Sequence, residues 1–478
     1  MRILPSLKCL LLPALLLPGL GLPLRAAENA APPNVVFILA DDLGYGELGC
    51  YGQQTIQTPS LDRLAEEGLR FTRHYAGAAV CGPSRCSLLT GLHTGHSRIR
   101  GNGTHALKDG DLTIAEVFKS KGYATAMIGK WDSGTAGTSG DPSRQGFDEV
   151  FGYLHQVAAH NHFPDRLWKN GEQVPVPNEV VYREVNYSDI PGSVATKRAA
   201  YAQDLFTEAA LEFIGDNAKR PFFLYLSYII PHANNEHWIG DSHGMEVPDN
   251  KPYEDRPWPD VEKATAAMIT RLDRDVGKIR AKLDELGLDN TIVIFTSDNG
   301  PHEEGMRNPE FFDSNGDLRG LKRDFYEGGL RVPLVVQWTG RIAPGTISEH
   351  LSANYDFLAT FCDLTGAPAP DDTDGISLLP TLLGREQRKH PFLYWESRET
   401  IGRQAVLAGD WKLVRLRMNG LPDGVFELYN LVADPGELGN LYFDMPEKAA
   451  ELRKLMEAAH VPSPEFPIGR ENKNHHYR

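Results

Sequence analysis

Apolar runs recur along this chain, and each ends where polar or charged residues cluster. NVVFILADD, TAMIGKW, PFFLYLSYIIPH, NTIVIFTSDNG and RVPLVVQW are too short to span a membrane. They are continuous rather than alternating, so each reads as a strand buried on both faces. Helical patterns lie between them. In TPSLDRLAEEG, Thr58 stands at an N-cap, Pro59 opens the first turn and Gly68 closes the helix. Met268, Leu272, Val276, Ile279, Leu283 and Leu286 recur at three- and four-residue steps, with Gly287 as the C-terminal stop. Strands separated by helices predict an α/β fold, a mostly parallel central sheet sandwiched by helices. Ligands bind such sheets beyond the carboxyl ends of the strands. Asp41-Asp42, Lys130, His232 and Asp298-Asn299 all stand at ends of that kind, so they are expected in one place.

From residue 385 the pattern changes. HPFLYWES, RQAVLAGDWKLVRL and GVFELYNL are short and mixed, with Gly-Asp and Asn-Gly turn signals, and MPEKAAELRKLMEAAH follows as a helix. The expected organisation is a catalytic domain over 34–384 and a smaller C-terminal antiparallel-sheet subdomain over 385–478. Residues 1–26 read as a secretory signal, with Arg2 and Lys8 ahead of a short apolar run, which predicts a secreted or periplasmic protein without stable membrane insertion. A net charge of -15 argues against nucleic acid as partner and requires a local cationic pocket for any anionic substrate. Apart from Cys9 in the signal, four cysteines remain, too few for a disulfide scaffold.

Asp41, Asp42, Asp298 and Asn299 offer only oxygen ligands, which suit Ca²⁺ or Mg²⁺ and not zinc. The stretch CGPSRCSLLTG adds a nucleophile candidate. Pro83 near a first helical position places Cys81 at a helix N-terminus with Arg85 in reach, and both features are expected to lower the thiol pKa. A thiolate is nevertheless a poor carrier where its ester with the transferred group is not readily released. A hydrated aldehyde removes that difficulty. One hydroxyl attacks and the other expels the transferred group as the carbonyl re-forms.

CGPSRCSLLTG resembles the signature of the sulfatase family, Cys-x-Pro-Ser-Arg followed by Thr-Gly. FILADDLGYGELGCYG, MIGKW, SDNGPHEEG, GLKRDFYEGGLRVP and FELYNLVADPGE are similar to family segments in the same order. The resemblance implies an alkaline-phosphatase-like fold and oxidation of Cys81 to formylglycine (3-oxoalanine) by a maturation enzyme. It implies that Asp41, Asp42, Asp298, Asn299 and the modified Cys81 hold Ca²⁺ or Mg²⁺, and that Arg85 holds the aldehyde hydrate. Lys130 and Lys322 would contact sulfate oxygens, and His232 would donate to the leaving oxygen.

One position departs from the pattern. Many family members read Gly-Lys-Trp-His, whereas this chain reads GKWDSG, with Asp132 at the histidine's place. Either Asp132 acts as the base, or another histidine fills the space, with His155 and His160 as candidates, or turnover is slow. A sulfated sugar is the expected substrate. His160, Asn161, His302 and Glu303 are candidates for its hydroxyls, and Trp168, Trp238 and Trp258 for stacking. Two alternatives stand beside this reading: a phosphodiester or phosphonate monoester hydrolase, and a non-catalytic glycan-binding relative.

Overall fold

The computed structural model describes residues 31–240, 242–421 and 423–469. The expected signal segment lies outside these residues. Four of the apolar runs form the centre of one sheet: β1 (Asn34–Ala40), β2 (Ala124–Lys130), β3 (Phe222–Ser227) and β4 (Thr291–Ser297). β1 lies between β3 and β4 and β3 pairs with β2, all in parallel. The carboxyl ends of the four strands therefore fall along one edge. The fifth run, Leu334–Trp338, pairs antiparallel to β4. Glu149–Tyr153 extends the sheet on the other side, parallel to β2.

Alternate residues of β1 face opposite layers. Val36, Ile38 and Ala40 pack with Met268, Leu272 and Val276 of the long helix Asp260–Glu285. Val35, Phe37 and Leu39 pack with Phe118 and Phe361 of the helices Ile114–Ser120 and Asp356–Thr365. Both faces are thus sealed, which is why the strand sequence shows no polar alternation. Burying each such side chain contributes about 1.5–3 kcal/mol. Gly287, at φ 64°, follows the long helix in the left-handed conformation expected of its stop. Thr58 precedes the helix Pro59–Glu66, yet its hydroxyl does not cap that helix; it accepts from Gly49 N at 2.8 Å.

The strands Leu393–Ser397, Arg403–Ala408, Trp411–Leu416 and Val425–Asn430 form a separate antiparallel meander. Here the period is two. Leu393, Trp395, Ala405 and Leu407 pack against Tyr75, Phe325 and Tyr355, while Tyr394, Val406, Leu413 and Leu428 pack against the helix Pro446–Ala459. Cys50, Cys81, Cys86 and Cys362 are all free thiols. Among the described residues no helix is long and apolar enough to cross a membrane.

Candidate active site

The helix α1 (Cys81–Thr90) begins at Cys81 itself, after Val80 in extended conformation, and ends at Gly91 with φ 71°. Its start is held from outside. Gly82 N donates to Asn102 Oδ1 at 3.0 Å, and a Cβ at Gly82 would come within 3.2 Å of Asp132 Oδ2. Glycine permits that close approach. The helix aims Cys81 at the ends of β1 and β4, and its Sγ lies 3.2 Å from Asp41 Oδ1 and 3.8 Å from Asp42 Oδ1.

Asp41 and Asp42 follow β1 directly, and Asp42 has φ 64°. The left-handed turn places both carboxylates on the cleft, a conformation aspartate tolerates better than most residues. Asp298, after β4, accepts from Asp42 N at 3.0 Å through Oδ1. Its Oδ2 accepts from Arg85 Nε and Nη2 at 3.1 and 2.8 Å. Arg85 also donates to the carbonyl of Lys130 and to Ser227 Oγ. Lys130 Nζ stands 2.8 Å from Asp41 Oδ2, and Lys322 Nζ 2.8 Å from Asp42 Oδ2. Three buried acids are thus matched by three buried cations. Breaking such a pair from one side costs about 3–5 kcal/mol, since the remaining charge stays buried.

These partners set the protonation states. Burial alone would raise Asp41, but Lys130 and Arg85 hold its carboxyl well below the usual range. Burial and the charge of Asp41 push Asp298 up to about 7. The lowered thiol pKa expected for Cys81 is not found. Burial and the neighbouring Asp41 carboxylate push it well above the ordinary value, outweighing the helix terminus and Lys130. As a thiol, Cys81 is a weak nucleophile here.

Opposite the acids stands a group of histidines. His232 donates from Nδ1 to Ala233 O at 2.6 Å and receives Lys322 Nζ on Nε2 at 3.0 Å. The ring of His160 stacks on it at 4.9 Å between centroids. His160 Nδ1 is 3.0 Å from Oε1 of the buried Glu236, which also accepts from Tyr187. Asp132 (φ 60°) is buried, and its Oδ2 has no hydrogen-bond partner. Burial lifts its pKa to about 6, against the pull of Lys130.

The fold therefore gathers Asp41, Asp42, Cys81, Arg85, Lys130, Asp132, His160, His232, Asp298, Asn299 and Lys322 around one cleft. Other candidates are placed differently. His155 accepts from Val157 N through Nδ1 and caps its own short helix. Asn161 is buried, with its amide donating to Ser193 and accepting from Phe163 N, so it is not free for a sugar. His302 is also held at both nitrogens, by Pro231 O and Glu304 N. Glu303 is exposed, and the side chain that turns inward is Glu304, 2.9 Å from Lys322 Nζ and paired with Arg323. Trp258 stacks on Tyr253 and is not a free platform. Asn102, Glu236 and Glu304 were not singled out in the sequence.

The site groups side chains able to hold a metal ion. Ligand atoms of Asp41, Asp42, Cys81 and His232 lie within 4.8 Å of one another. Asn299 sends Nδ2 to Asp42 Oδ1 at 2.6 Å, while its own Oδ1 is buried without a hydrogen-bond partner. An unpartnered buried amide oxygen beside two carboxylates is what an oxygen-seeking ion requires.

The family model for Sulfatase matches residues 33–367, and that for the C-terminal region of N-sulphoglucosamine sulphohydrolase matches residues 320–461. The chain belongs to the sulfatase family. It is similar to arylsulfatase A of Homo sapiens, 36% identical over 89% of this chain and 87% of that protein. It is similar to the N-acetylgalactosamine-6-O-sulfatase of Bacteroides thetaiotaomicron, 30% identical over 90% of this chain and 94% of that one. Among solved structures, Ps i-CgsB bound to k-i-k-neocarrahexaose superposes with a TM-score of 0.73 at 25% identity, over 90% of this chain and 93% of that one. This sulfatase is accordingly a sulfuric ester hydrolase with the alkaline-phosphatase-like α/β fold.

Proposed function

We propose that this sulfatase releases inorganic sulfate from a sulfated carbohydrate, in the cleft where Cys81 meets the acids of β1 and β4. The observation that carries this is the 3.2 Å approach of Cys81 Sγ to Asp41 Oδ1, flanked by the buried ammonium groups of Lys130 and Lys322. Cys81 is oxidised to formylglycine by a maturation enzyme that reads Cys-x-Pro-Ser-Arg. Its hydrate supplies one hydroxyl to attack sulfur and a second to expel sulfate as the aldehyde returns. Asp41, Asp42, Asp298 and Asn299, with the modified Cys81, would hold Ca²⁺ or Mg²⁺, which when bound would supply positive charge for a sulfate oxygen and acidify a hydroxyl of the hydrate.

The chain's own residues do the rest. Arg85 fixes Asp298, and Lys130 and Lys322 balance the charge that shifts onto sulfate oxygens as the ester S–O bond breaks. Lys322, whose ammonium is oriented by His232, gives up the proton that the departing oxygen takes. Asp132, next to Gly82, takes the family histidine's position, with His160, oriented by Glu236, on the facing wall. Residues 34–384 form the catalytic domain and 385–478 the C-terminal subdomain, and residues 1–26 direct the protein to the periplasm or outside the cell. A carbohydrate substrate is supported by the relatives named for a sugar sulfate and by the structure bound to a neocarrahexaose.

The test is a matched panel of sulfated sugars, 4-nitrophenyl sulfate, phosphodiesters and phosphonate monoesters, assayed with wild type and Cys81→Ala. Sulfate release by wild type alone supports the proposal. A preference for phosphodiesters or phosphonates, or equal activity in Cys81→Ala, contradicts it.

A further inference from the structure

Beside the cleft, beyond the end of Glu149–Tyr153, lies a cavity of about 430 Å³ that the sulfate chemistry does not use. Trp168, Tyr182 and Ile190 supply apolar wall, and His155, Thr135 and Ser193 add polar groups. Three connections tie it to the catalytic residues. Tyr153, also in its lining, stands opposite Lys130 in strand register, and its carbonyl accepts from Trp131 N at 2.9 Å. Ser193 Oγ accepts from Asn161, the neighbour of His160. Thr135 follows Asp132 by three positions.

The charge of the cavity is balanced. Arg166 supplies its guanidinium, but Asp165 holds it at 2.9 and 3.0 Å through Nε and Nη2, and it lies 5.6 Å from the centre of the Tyr182 ring. Burial keeps His155 neutral, with its pKa lowered to about 4. A second sulfate or a carboxylate would meet no uncompensated cation among these lining residues. An uncharged ring with an apolar face and hydroxyl edges would match both the aromatic wall and the scattered polar groups.

We propose that this cavity is a subsite for an uncharged sugar ring linked to the sulfated one, so that the preferred substrate is an oligosaccharide rather than a lone sulfated sugar. The inference rests on the sulfatase reading above and deepens it.

The experiment compares kcat/KM for a carrageenan-type sulfated oligosaccharide whose neighbouring ring is uncharged, a chondroitin-type one whose neighbouring ring is a uronate, a sulfated monosaccharide, a steryl sulfate and 4-nitrophenyl sulfate. Wild type is set against Tyr182→Ala, which removes part of the wall, and Ala158→Phe, at another residue of the lining, which fills the space. Tyr182 is 38% exposed, so its truncation spares the core. The oligosaccharide with the uncharged neighbouring ring is expected to exceed the monosaccharide by about tenfold, equivalent to 1.4 kcal/mol, and a preference for the uronate one alone refutes the subsite. Both variants should remove that advantage and leave 4-nitrophenyl sulfate turnover unchanged. The subsite is refuted if no oligosaccharide exceeds the monosaccharide. It is equally refuted if the variants slow all substrates alike, or if they slow only the steryl sulfate. Failure of wild type on every sulfate ester would instead strike the sulfatase reading beneath it.

Discussion

The ammonium of Lys322 lies 3.0 Å from Nε2 of His232. Because Nδ1 of His232 donates to Ala233 O, Nε2 carries the lone pair, and burial together with Lys322 holds the imidazole neutral. The ammonium therefore holds the proton that the departing oxygen takes up, and His232 accepts its hydrogen bond and orients it. A leaving alcohol of high pKa needs this proton far more than 4-nitrophenol does. His232→Ala should lower kcat on a sugar sulfate by about 100-fold or more, with a much smaller effect on 4-nitrophenyl sulfate. Equal losses on both esters would remove the proton-transfer role.

Asp298 joins two tasks, since one oxygen receives Asp42 N and the other receives Arg85. Asp298→Ala should abolish cation binding and leave Arg85 buried without its main partner. Elemental analysis should show loss of the cation, and thermal unfolding a destabilisation of about 3–5 kcal/mol. Full cation content in a destabilised variant would exclude Asp298 as a ligand.

Asp132 sits beside the start of α1 with its carboxyl raised to about 6 by burial. Below that pH the group is neutral, and above it an anion stands where an anionic ester must bind. kcat/KM should fall as pH rises through about 6. Asp132→Asn should flatten that limb and raise kcat/KM at higher pH by roughly tenfold, the equivalent of one pKa unit of interaction. If Asp132 is the base, Asp132→Asn will instead lose activity across the whole range.

The sheet and most of the cleft were legible because strands buried on both faces read as unbroken apolar runs, and their ends mark where the site must lie. Asp41, Asp42, Lys130 and Asp298 stand at those ends, and their convergence follows from the parallel order of β1, β2, β3 and β4. The protonation of Cys81 was not legible. Helix position is local, but the burial and the Asp41 charge that overrule it come from residues distant in sequence. The choice of Glu304 over Glu303 depends on a tight turn, with Gly305 at φ 66° and Met306 at φ 70°, that the string HEEG does not specify. His302 and Asn161 were polar residues near a motif, and the fold uses their polarity for its own loops.

The antiparallel meander is tied to the rest by charge as well as packing. Lys412 Nζ lies 3.0 Å from both Glu327 Oε1 and Glu437 Oε1, all three fully buried. Burial, opposed by Lys412 and reinforced by Glu327, pushes Glu437 up to about 7. A carboxyl raised on folding binds its proton more tightly in the folded state, so its contribution falls as pH rises from 4.5 toward 7. Glu437→Gln should reduce the fall in Tm across that interval. An unchanged slope would show that Glu437 does not titrate there.

Mass analysis of the peptide spanning residues 74–98, from protein made together with the maturation enzyme and assayed in parallel, bears most directly on the proposed chemistry. An aldehyde at position 81, in an amount that tracks specific activity across preparations, is the predicted result. Full activity in protein that carries only the unmodified Cys81 thiol would contradict it.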